Sequence, residues 1–181
     1  MQGPGRPDED RRGGFEQGGW AIPRSDDVMA STLGERMAEE GGLLFGRRTF
    51  EDLLSYWNTQ ESPFKDALNN APKYVASTTL REPLPWPNST RLEGDAADAV
   101  AELKERAGND LGIMGSGELI WSLIPRGLID EYLLMIHPLV LGSGRRLFPD
   151  DGVVHSLRLV DSKPTTTGVL IATYETIRDK A

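Results

Sequence analysis

The stretch 111–121 constrains this chain most, because a glycine-rich turn separates two apolar patterns of different period. A short apolar run ends at Met114, Gly-Ser-Gly follows at 115–117, and apolar residues then recur at helical spacing. This order predicts a buried strand, a tight turn and the first turn of a helix. Glycine allows positive φ and close approach of another molecule, and a helix start offers unpaired N–H groups to phosphate.

The same stretch therefore predicts a nucleotide or dinucleotide site, with one alternative left open. A Gly-x-Gly turn also joins strands to helices in many proteins that bind nothing. The pattern is not the Rossmann fingerprint, because Ile120 occupies its third glycine position.

Two further predicted strand ends carry compatible residues. Gly46, Arg47, Arg48 and Thr49 follow one apolar run, and Thr49 is predicted to cap the next helix. Hydroxyl side chains at 77–79 follow another strand. Ligands of open α/β sheets bind beyond the carboxyl ends of the strands, so these ends and 115–117 are predicted to form one nucleotide site. Solvated surface charge is the alternative interpretation of the arginines.

Composition sets the broad class of protein. The chain has 181 residues, 38% of them hydrophobic and 27% charged, which is typical of one soluble globular domain. A net charge of −8 argues against a nucleic-acid or anionic-membrane surface. The absence of cysteine excludes disulfides and thiolate metal sites. Because the sequence has no apolar run of transmembrane length and no signal peptide, we expect a cytoplasmic protein. The expected partner is a small-molecule substrate, with no nucleic acid and no membrane.

Helical and strand periodicities alternate through the first two thirds of the chain. Helices are predicted at 26–40, 49–57, 62–69, 96–107 and 118–125, and strands at 43–45, 73–77, 90–93, 111–114, 131–136, 154–162 and 170–177. The fold class is therefore α/β, with a mixed, mainly parallel sheet flanked by helices and with antiparallel C-terminal strands. We predict a single domain over 1–181. Residues 1–25 are interpreted either as a disordered tail or as a glycine-rich active-site loop.

Several of these runs together resemble the dihydrofolate reductase fold family. They are 44–51, 73–77 and 113–117 with 123–125. The later runs 130–132 and 137–144 resemble one branch, the reductase domain of the bifunctional deaminase–reductase of riboflavin biosynthesis and its stand-alone relatives. The match extends in order over nearly the whole chain.

The resemblance implies NADPH as cofactor and assigns three groups of residues to it. Gly46, Arg47, Arg48 and Thr49 would meet its phosphates, Ser77 and Thr78 would lie near the 2′-phosphate, and Gly115, Ser116, Gly117 and Glu118 would hold the pyrophosphate through backbone N–H groups. The implied activity is reduction of a small pteridine- or pyrimidine-like heterocycle, similar to the riboflavin-pathway reduction of 5-amino-6-(5-phosphoribosylamino)uracil. The alternative is a non-catalytic nucleotide-binding module that keeps the cofactor cleft.

Two departures from the resembled family matter. Dihydrofolate reductases place a carboxylate in the first helix, whereas the corresponding position here is near Ala30, which argues against dihydrofolate reduction. Asp26, Asp27 and Glu35 are interpreted as caps and surface residues. Family members also open with an apolar strand, which is absent before the arm 1–25. A misassigned start, a partner chain that fills the gap or a sheet that closes differently would each account for this. We expect the first, a native protein that is longer at its N-terminus. A homodimer is the default expectation from the family.

Several single residues are also candidates for the site or for the core. Trp20 and Trp57 could form the walls of a ring-binding cleft, although tryptophan is first of all a core residue. Arg145 could meet a substrate phosphate, or it belongs to a charged turn. His137 and His155 form neither a metal site nor a catalytic triad, and no metal or catalytic residue is predicted. His137 is interpreted as structural.

Overall fold

The computed structural model describes residues 1–106, 108 and 110–178. They form two compact units. We call Leu33–Leu128 the parallel unit, and Met1–Thr32 together with Ile129–Ala181 the antiparallel unit.

The elements follow the predicted order. The helices are α1 (Asp27–Glu39), α2 (Arg47–Trp57), α3 (Pro63–Asn70), α4 (Ala96–Arg106) and α5 (Gly117–Leu123). The strands are β1 (Gly42–Gly46), β2 (Lys73–Ala76), β3 (Ser89–Leu92), β4 (Leu111–Ile113), β5 (Glu131–Ile136), β6 (Leu157–Pro164) and β7 (Leu170–Thr176). Among the described residues, none of the helices combines the length and apolarity that crossing a membrane requires.

The parallel unit contains a four-stranded sheet in the order β3-β2-β1-β4, with every neighbouring pair parallel. Phe45 of β1 lies in register with Val75 of β2, and both side chains are fully buried. A central parallel strand is covered on both faces, and for this reason β1 has a continuous apolar run instead of an alternating pattern.

One hydrophobic cluster lies between this sheet and its helices. Its buried members are Leu43, Phe45, Phe50, Leu68, Val75, Leu84 and Trp86. Phe50 belongs to the predicted inner face of α2, and Leu53, Leu54 and Trp57 from the same face pack against the cluster. The helical spacing of these apolar residues thus orients α2 as predicted.

A buried lysine at the start of β2 hydrogen-bonds carbonyl groups at the C-terminal end of helix α3. Lys73 is 1% exposed, and its Nζ atom donates hydrogen bonds to the backbone oxygens of Leu68 at 2.5 Å and Ala71 at 2.7 Å. The same Nζ lies 5.2 Å from the centre of the Trp86 ring. The ammonium group therefore satisfies carbonyls that the end of a helix leaves without intrahelical partners.

Short polar side chains define the starts of three helices. Asp26 Oδ1 accepts the Met29 N–H at 2.9 Å, and Ser62 Oγ accepts the Lys65 N–H at 3.2 Å. Asp95 Oδ1 accepts two N–H groups in the first turn of α4. These capping bonds satisfy donors that have no intrahelical acceptor. The predicted starts of these helices, and the interpretation of Asp26 as a cap, are therefore confirmed.

The antiparallel unit contains a three-stranded sheet in the order β5-β7-β6. Strand β6 begins at Leu157 instead of the predicted 154 and carries a bulge between Leu159 and Asp161. Val153 and Val154 are exposed and lie outside the hydrogen-bonded ladder. Valine favours strands, but these two residues have no partner strand, so the predicted start of β6 was too early. The α/β fold class is confirmed, with the antiparallel strands in a sheet of their own.

The glycine-rich arm packs within the antiparallel unit. Phe15 is buried, and a Cβ added at Gly144 would lie 3.0 Å from its ring. Gly19 donates its N–H to the Gly3 carbonyl at 2.8 Å. The arm thus has two short 3-10 turns and makes defined contacts within the unit, which supports the loop interpretation over the disordered tail.

Candidate functional site

The carboxyl ends of all four strands of the parallel unit lie at one edge of its sheet, because the strands run in the same direction. This edge carries three of the predicted groups of site residues. Gly46–Thr49 follows β1, Ser77 and Thr78 follow β2, and Gly115–Glu118 follows β4. Strand β1 is the neighbour of both β2 and β4, so parallel pairing brings the three groups to the same side of the sheet.

Two of these groups are held together by hydrogen bonds. Ser116 Oγ accepts the Gly46 N–H at 3.0 Å, and the Ser116 N–H is donated to Thr49 Oγ1 at 3.1 Å. Ser116 Oγ also donates to the Met114 carbonyl at 3.2 Å. We call the reciprocal pair of bonds between Ser116 and the 46–49 junction the serine–threonine latch. It joins residues 67 and 70 positions apart in the sequence.

The backbone of the 115–117 turn is fitted to this latch. Gly115 has φ +63°, and a Cβ added there would lie 3.0 Å from Thr49 Cγ2. Ser116 has φ 56° and ψ 40°. This left-handed conformation is energetically unfavourable for a residue other than glycine. The strained turn persists because the latch and the buried Ser116 side chain fix it. Of the two glycines predicted for close backbone approach, Gly115 therefore lies in a turn that the latch holds in place, and Gly117 begins α5.

The predicted cap of α2 is wrong. Gly46 is the N-cap residue, with no side-chain cap bond, and Thr49 lies in the first turn. Its hydroxyl is engaged by Ser116 across the sheet instead of capping its own helix. The N-cap of α5, Ser116, also makes no side-chain cap bond. Two helix starts without side-chain caps therefore lie side by side, an arrangement in which N–H groups and helix dipoles favour an anion.

Two arginines in the first turn of α2 add positive charge to this edge. Arg47 Nη1 lies 3.3 Å from Glu51 Oε2 of the same helix. Arg48 Nη1 lies 2.9 Å from Glu118 Oε1 of α5. Arginine binds phosphate and carboxylate through the same fork of donors. Sequence analysis assigned only the backbone of Glu118 to the site and missed its carboxylate, since no local pattern pairs residues 70 positions apart.

The hydroxyl groups after β2 have separate roles. Ser77 Oγ accepts the N–H groups of Thr79 at 3.2 Å and Leu80 at 3.0 Å, which closes the turn after the strand. Thr78 is exposed on that turn. Ser77 is therefore already engaged within its own turn, while Thr78 presents its side chain to solvent.

A cavity of about 700 Å³ lies along β3 and α4 and was not predicted. Its charged lining residues are Arg91, Glu93, Asp95, Asp98, Glu102 and Arg106. Ion pairs join Arg91 to Glu93 at 3.0 Å and Arg106 to Glu102 at 3.4 Å. Most of the charges in this cavity are thus balanced locally.

The predicted substrate residues fall in different units. Trp57 of the parallel unit lies with its ring 4.6 Å from Phe64 and 5.0 Å from Tyr56, and packs on the core. This supports the core interpretation of Trp57. In the antiparallel unit, Trp20 and Arg145 both contact Gln2, a residue that sequence analysis missed.

Gln2 organises the arm around these two residues. Its backbone oxygen accepts the Trp20 Nε1–H at 2.8 Å, and its Oε1 accepts the Arg145 N–H at 3.1 Å. Its Nε2 donates to the backbone oxygen of Arg12 at 2.9 Å. The side chain is 5% exposed, so an amide with both donor and acceptor groups suits this buried position.

His137 packs edge-on against the Trp20 ring, with ring centres 4.9 Å apart. Burial lowers the pKa of His137 below its ordinary value, and the charge of Arg24 lowers it further. Both effects favour a neutral imidazole in contact with the indole. The geometry supports the structural interpretation of His137.

One family model and one curated protein match most of this chain. Residues 13–171 match the model of the RibD C-terminal domain. The chain is 32% identical over 138 residues to the uncharacterized protein YyaP of Bacillus subtilis (strain 168), covering 73% of this chain and 72% of that protein.

Three solved structures share the fold. A putative riboflavin biosynthesis protein from Shewanella sp. PV-4 has a TM-score of 0.67 and 26% identity, covering 85% of this chain and 81% of that one. A pyrimidine reductase-like protein from Corynebacterium diphtheriae has a TM-score of 0.63 and 15% identity, covering 88% and 85%. Dihydrofolate reductase from Enterococcus faecalis, complexed with NADP(H), has a TM-score of 0.50 and 17% identity, covering 81% of each chain.

The match to the family model extends over most of the chain, and the solved structures share the dihydrofolate reductase-like fold. The resemblance found in the sequence is thereby confirmed. This chain belongs to the RibD C-terminal domain family.

Proposed function

We propose that this protein is an NADPH-dependent reductase of a small pteridine- or pyrimidine-like heterocycle. The main observation behind this proposal is that the serine–threonine latch joins the starts of helices α2 and α5 at the carboxyl edge of the parallel unit. This edge combines the Gly115 turn, two helix starts without side-chain caps and two arginines. Family membership and the NADP(H) in the Enterococcus faecalis enzyme support the same assignment.

The residues present fit a dinucleotide phosphate. The first-turn N–H groups of α2 and the turn 115–117 would hold the pyrophosphate, and Arg47 and Arg48 would neutralise its charge. Thr78 would present its hydroxyl to the 2′-phosphate, next to the turn that Ser77 closes. When bound, NADPH supplies the hydride. The protein would then bind the cofactor, orient it towards the substrate and exclude water from the site.

The candidate acids in helix α1 favour a substrate other than dihydrofolate. The position expected to carry a carboxylate is Ala30, which is exposed on α1. The nearby Asp26 is engaged as a helix cap and also accepts hydrogen bonds from the Thr166 hydroxyl and N–H, each at 2.7 Å. These bonds lower the pKa of Asp26, with the Thr166 hydroxyl contributing most, so the group stays ionised near neutral pH. An ionised cap is a poor proton donor to a pterin ring.

The proposal has two testable parts, binding and turnover. Titration of the protein with NADPH, followed by tryptophan fluorescence, measures binding. Absorbance of the reduced nicotinamide then measures turnover over a panel of pterins and aminopyrimidines, including a phosphoribosylated one. Saturable binding with oxidation of NADPH by at least one panel member is expected. Absence of NADPH binding would contradict the cofactor assignment.

A matched pair of arginine variants tests the location of the site. Arg48→Gln removes a charge from the first turn of α2, and Arg106→Gln removes an exposed, ion-paired arginine from α4. Only the first variant is expected to weaken NADPH binding. NADPH binding without turnover of any heterocycle would favour the alternative, a nucleotide-binding module that has lost catalysis.

A further inference from the structure

We propose that the Glu118 carboxylate competes with the phosphate groups of the ligand for Arg48, and so tunes affinity at the site. This inference rests on the proposed function and deepens it. It assigns Glu118 a role as a residue that acts through Arg48, in addition to the backbone contact predicted from the sequence.

The ion pair joins two different helix starts. Arg48 Nη1 of α2 and Glu118 Oε1 of α5 are 2.9 Å apart, and the two side chains are 53% and 57% exposed. The serine–threonine latch fixes both helix starts in the same place, through bonds of 3.0 Å and 3.1 Å. Glu118 is therefore held opposite Arg48 by the backbone and needs no rearrangement to reach it.

Arg47 offers a contrast within the same turn. It pairs with Glu51 at 3.3 Å, four residues later in its own helix, which is a common surface arrangement. Glu118, by contrast, comes from the turn that is predicted to hold the pyrophosphate. Its carboxylate thus lies at the site itself and already occupies a donor of Arg48.

Competition follows from the chemistry of the two acceptors. A carboxylate and a phosphate both accept hydrogen bonds from the same guanidinium fork. A ligand phosphate that uses the occupied donor of Arg48 must displace Glu118, and a carboxylate left nearby repels the incoming anion. The opposite role is preorganisation, in which Glu118 holds Arg48 in position for the phosphate. The two roles predict opposite changes in affinity when Glu118 is neutralised.

The test compares Glu118→Gln with a control of equal charge. Glu102→Gln also removes one negative charge from an exposed glutamate that pairs with an arginine, but within α4. Dissociation constants are measured for two probes, NADPH by tryptophan fluorescence and inorganic pyrophosphate by calorimetry, at low and high salt. We expect Glu118→Gln to bind both probes about two- to fivefold more tightly than wild type at low salt. Glu102→Gln should match wild type, and high salt should shrink the gain.

A double variant assigns the effect to Arg48. In the Arg48→Gln background, Glu118→Gln should give a clearly smaller gain with both probes than it gives in wild type, because only the direct repulsion between the carboxylate and the anion is then relieved. A gain of the same size in both backgrounds would show that Glu118 does not act through Arg48 and would overturn the proposal. Unchanged or weaker binding of both probes by Glu118→Gln would overturn the proposal. If neither wild type nor variant binds NADPH while pyrophosphate binding tightens, the proposed function fails and the role of Glu118 stands.

Discussion

The strands of the two units differ in how far they are buried. In the parallel unit, strand β1 is buried almost throughout, and the predicted site residues follow the ends of the strands. In the antiparallel unit, most of edge strand β6 is exposed. Because both faces of β1 are buried, a ligand can approach this strand at the carboxyl edge, which is where the glycines and arginines lie.

The exposed edge of the antiparallel unit carries features that discourage pairing with another strand. Arg158 and Lys163 place charges on β6, Pro164 ends it without an N–H donor, and a bulge interrupts its ladder after Leu159. Natural sheets protect their edges by these means. Stability therefore depends on side chains in β1 far more than on those in β6.

Substitution of a core residue in β1 should lower the stability of the protein most. Phe45→Ala removes a fully buried ring from β1 and should lower the free energy of unfolding by about 3–5 kcal/mol. Leu159→Ala in β6, where the side chain is 52% exposed, should change it by less than about 0.5 kcal/mol. Urea denaturation of both variants measures the difference. Similar losses would mean that the two strands do not differ in the way their burial indicates.

An intermediate effect is expected at the serine–threonine latch. Thr49→Val keeps the shape of the side chain but leaves the Ser116 N–H without its acceptor, which should cost about 1–3 kcal/mol of folding stability. NADPH binding should weaken as well, because the turn 115–117 loses its anchor. Thr49→Ser, which keeps the hydroxyl, serves as the control in thermal melts and titrations. A Val variant that matches the Ser variant in both measurements would show that the Thr49 hydroxyl does not hold the turn in place.

The smallest expected effect concerns pH and differs in sign between the units. Glu40 of the parallel unit lies so close to Gly112 that a Cβ added there would meet its carboxylate at 2.0 Å. Burial raises the pKa of Glu40 to about 7, whereas hydrogen bonds lower the pKa of Asp26 in the antiparallel unit. The folded state thus holds a proton on Glu40 that the unfolded chain releases between its ordinary value of 4.5 and about 7. Stability from this group is present below that window and is lost as pH rises through it.

Glu40→Gln should therefore stabilise the protein at pH values above the window and leave it unchanged below. Water still reaches this half-buried carboxyl, so we expect a gain of about 1–2 kcal/mol. Urea denaturation at a series of pH values measures it, with the exposed neighbour Glu39→Gln as control. A gain that is the same at every pH would show that Glu40 does not titrate in the window assigned to it.

The sequence predicted the elements well where local chemistry decides them. Helical spacing placed Phe50 and Trp57 on the inner face of α2, and Ser62 marked the start of α3. Thr49 was assigned wrongly as a cap, because its hydroxyl is engaged by Ser116, a partner 67 residues away. Local patterns do not encode such pairs.

Long-range polar contacts account for the other gaps. Nothing near Gln2 in the sequence predicts that its amide would hold the arm against Arg145, 143 positions later. The carboxylate of Glu118 was missed for the same reason. The glycines at 115 and 117 were found because a strand, a turn and a helix follow one another directly in the chain.

The ratio of the dissociation constants for NADH and NADPH tests whether the candidate site binds a dinucleotide through its 2′-phosphate. We propose that the carboxyl edge of the parallel unit binds a phosphorylated dinucleotide, with Arg47 and Arg48 at its pyrophosphate and the Thr78 hydroxyl at its 2′-phosphate. A charge-assisted hydrogen bond to the 2′-phosphate is worth about 1.5–3 kcal/mol, so NADPH should bind about 10- to 150-fold more tightly. Tryptophan fluorescence titrations with the two cofactors under identical salt measure this ratio. Equal dissociation constants would contradict the preference for NADPH and the assignment of Thr78 to the 2′-phosphate.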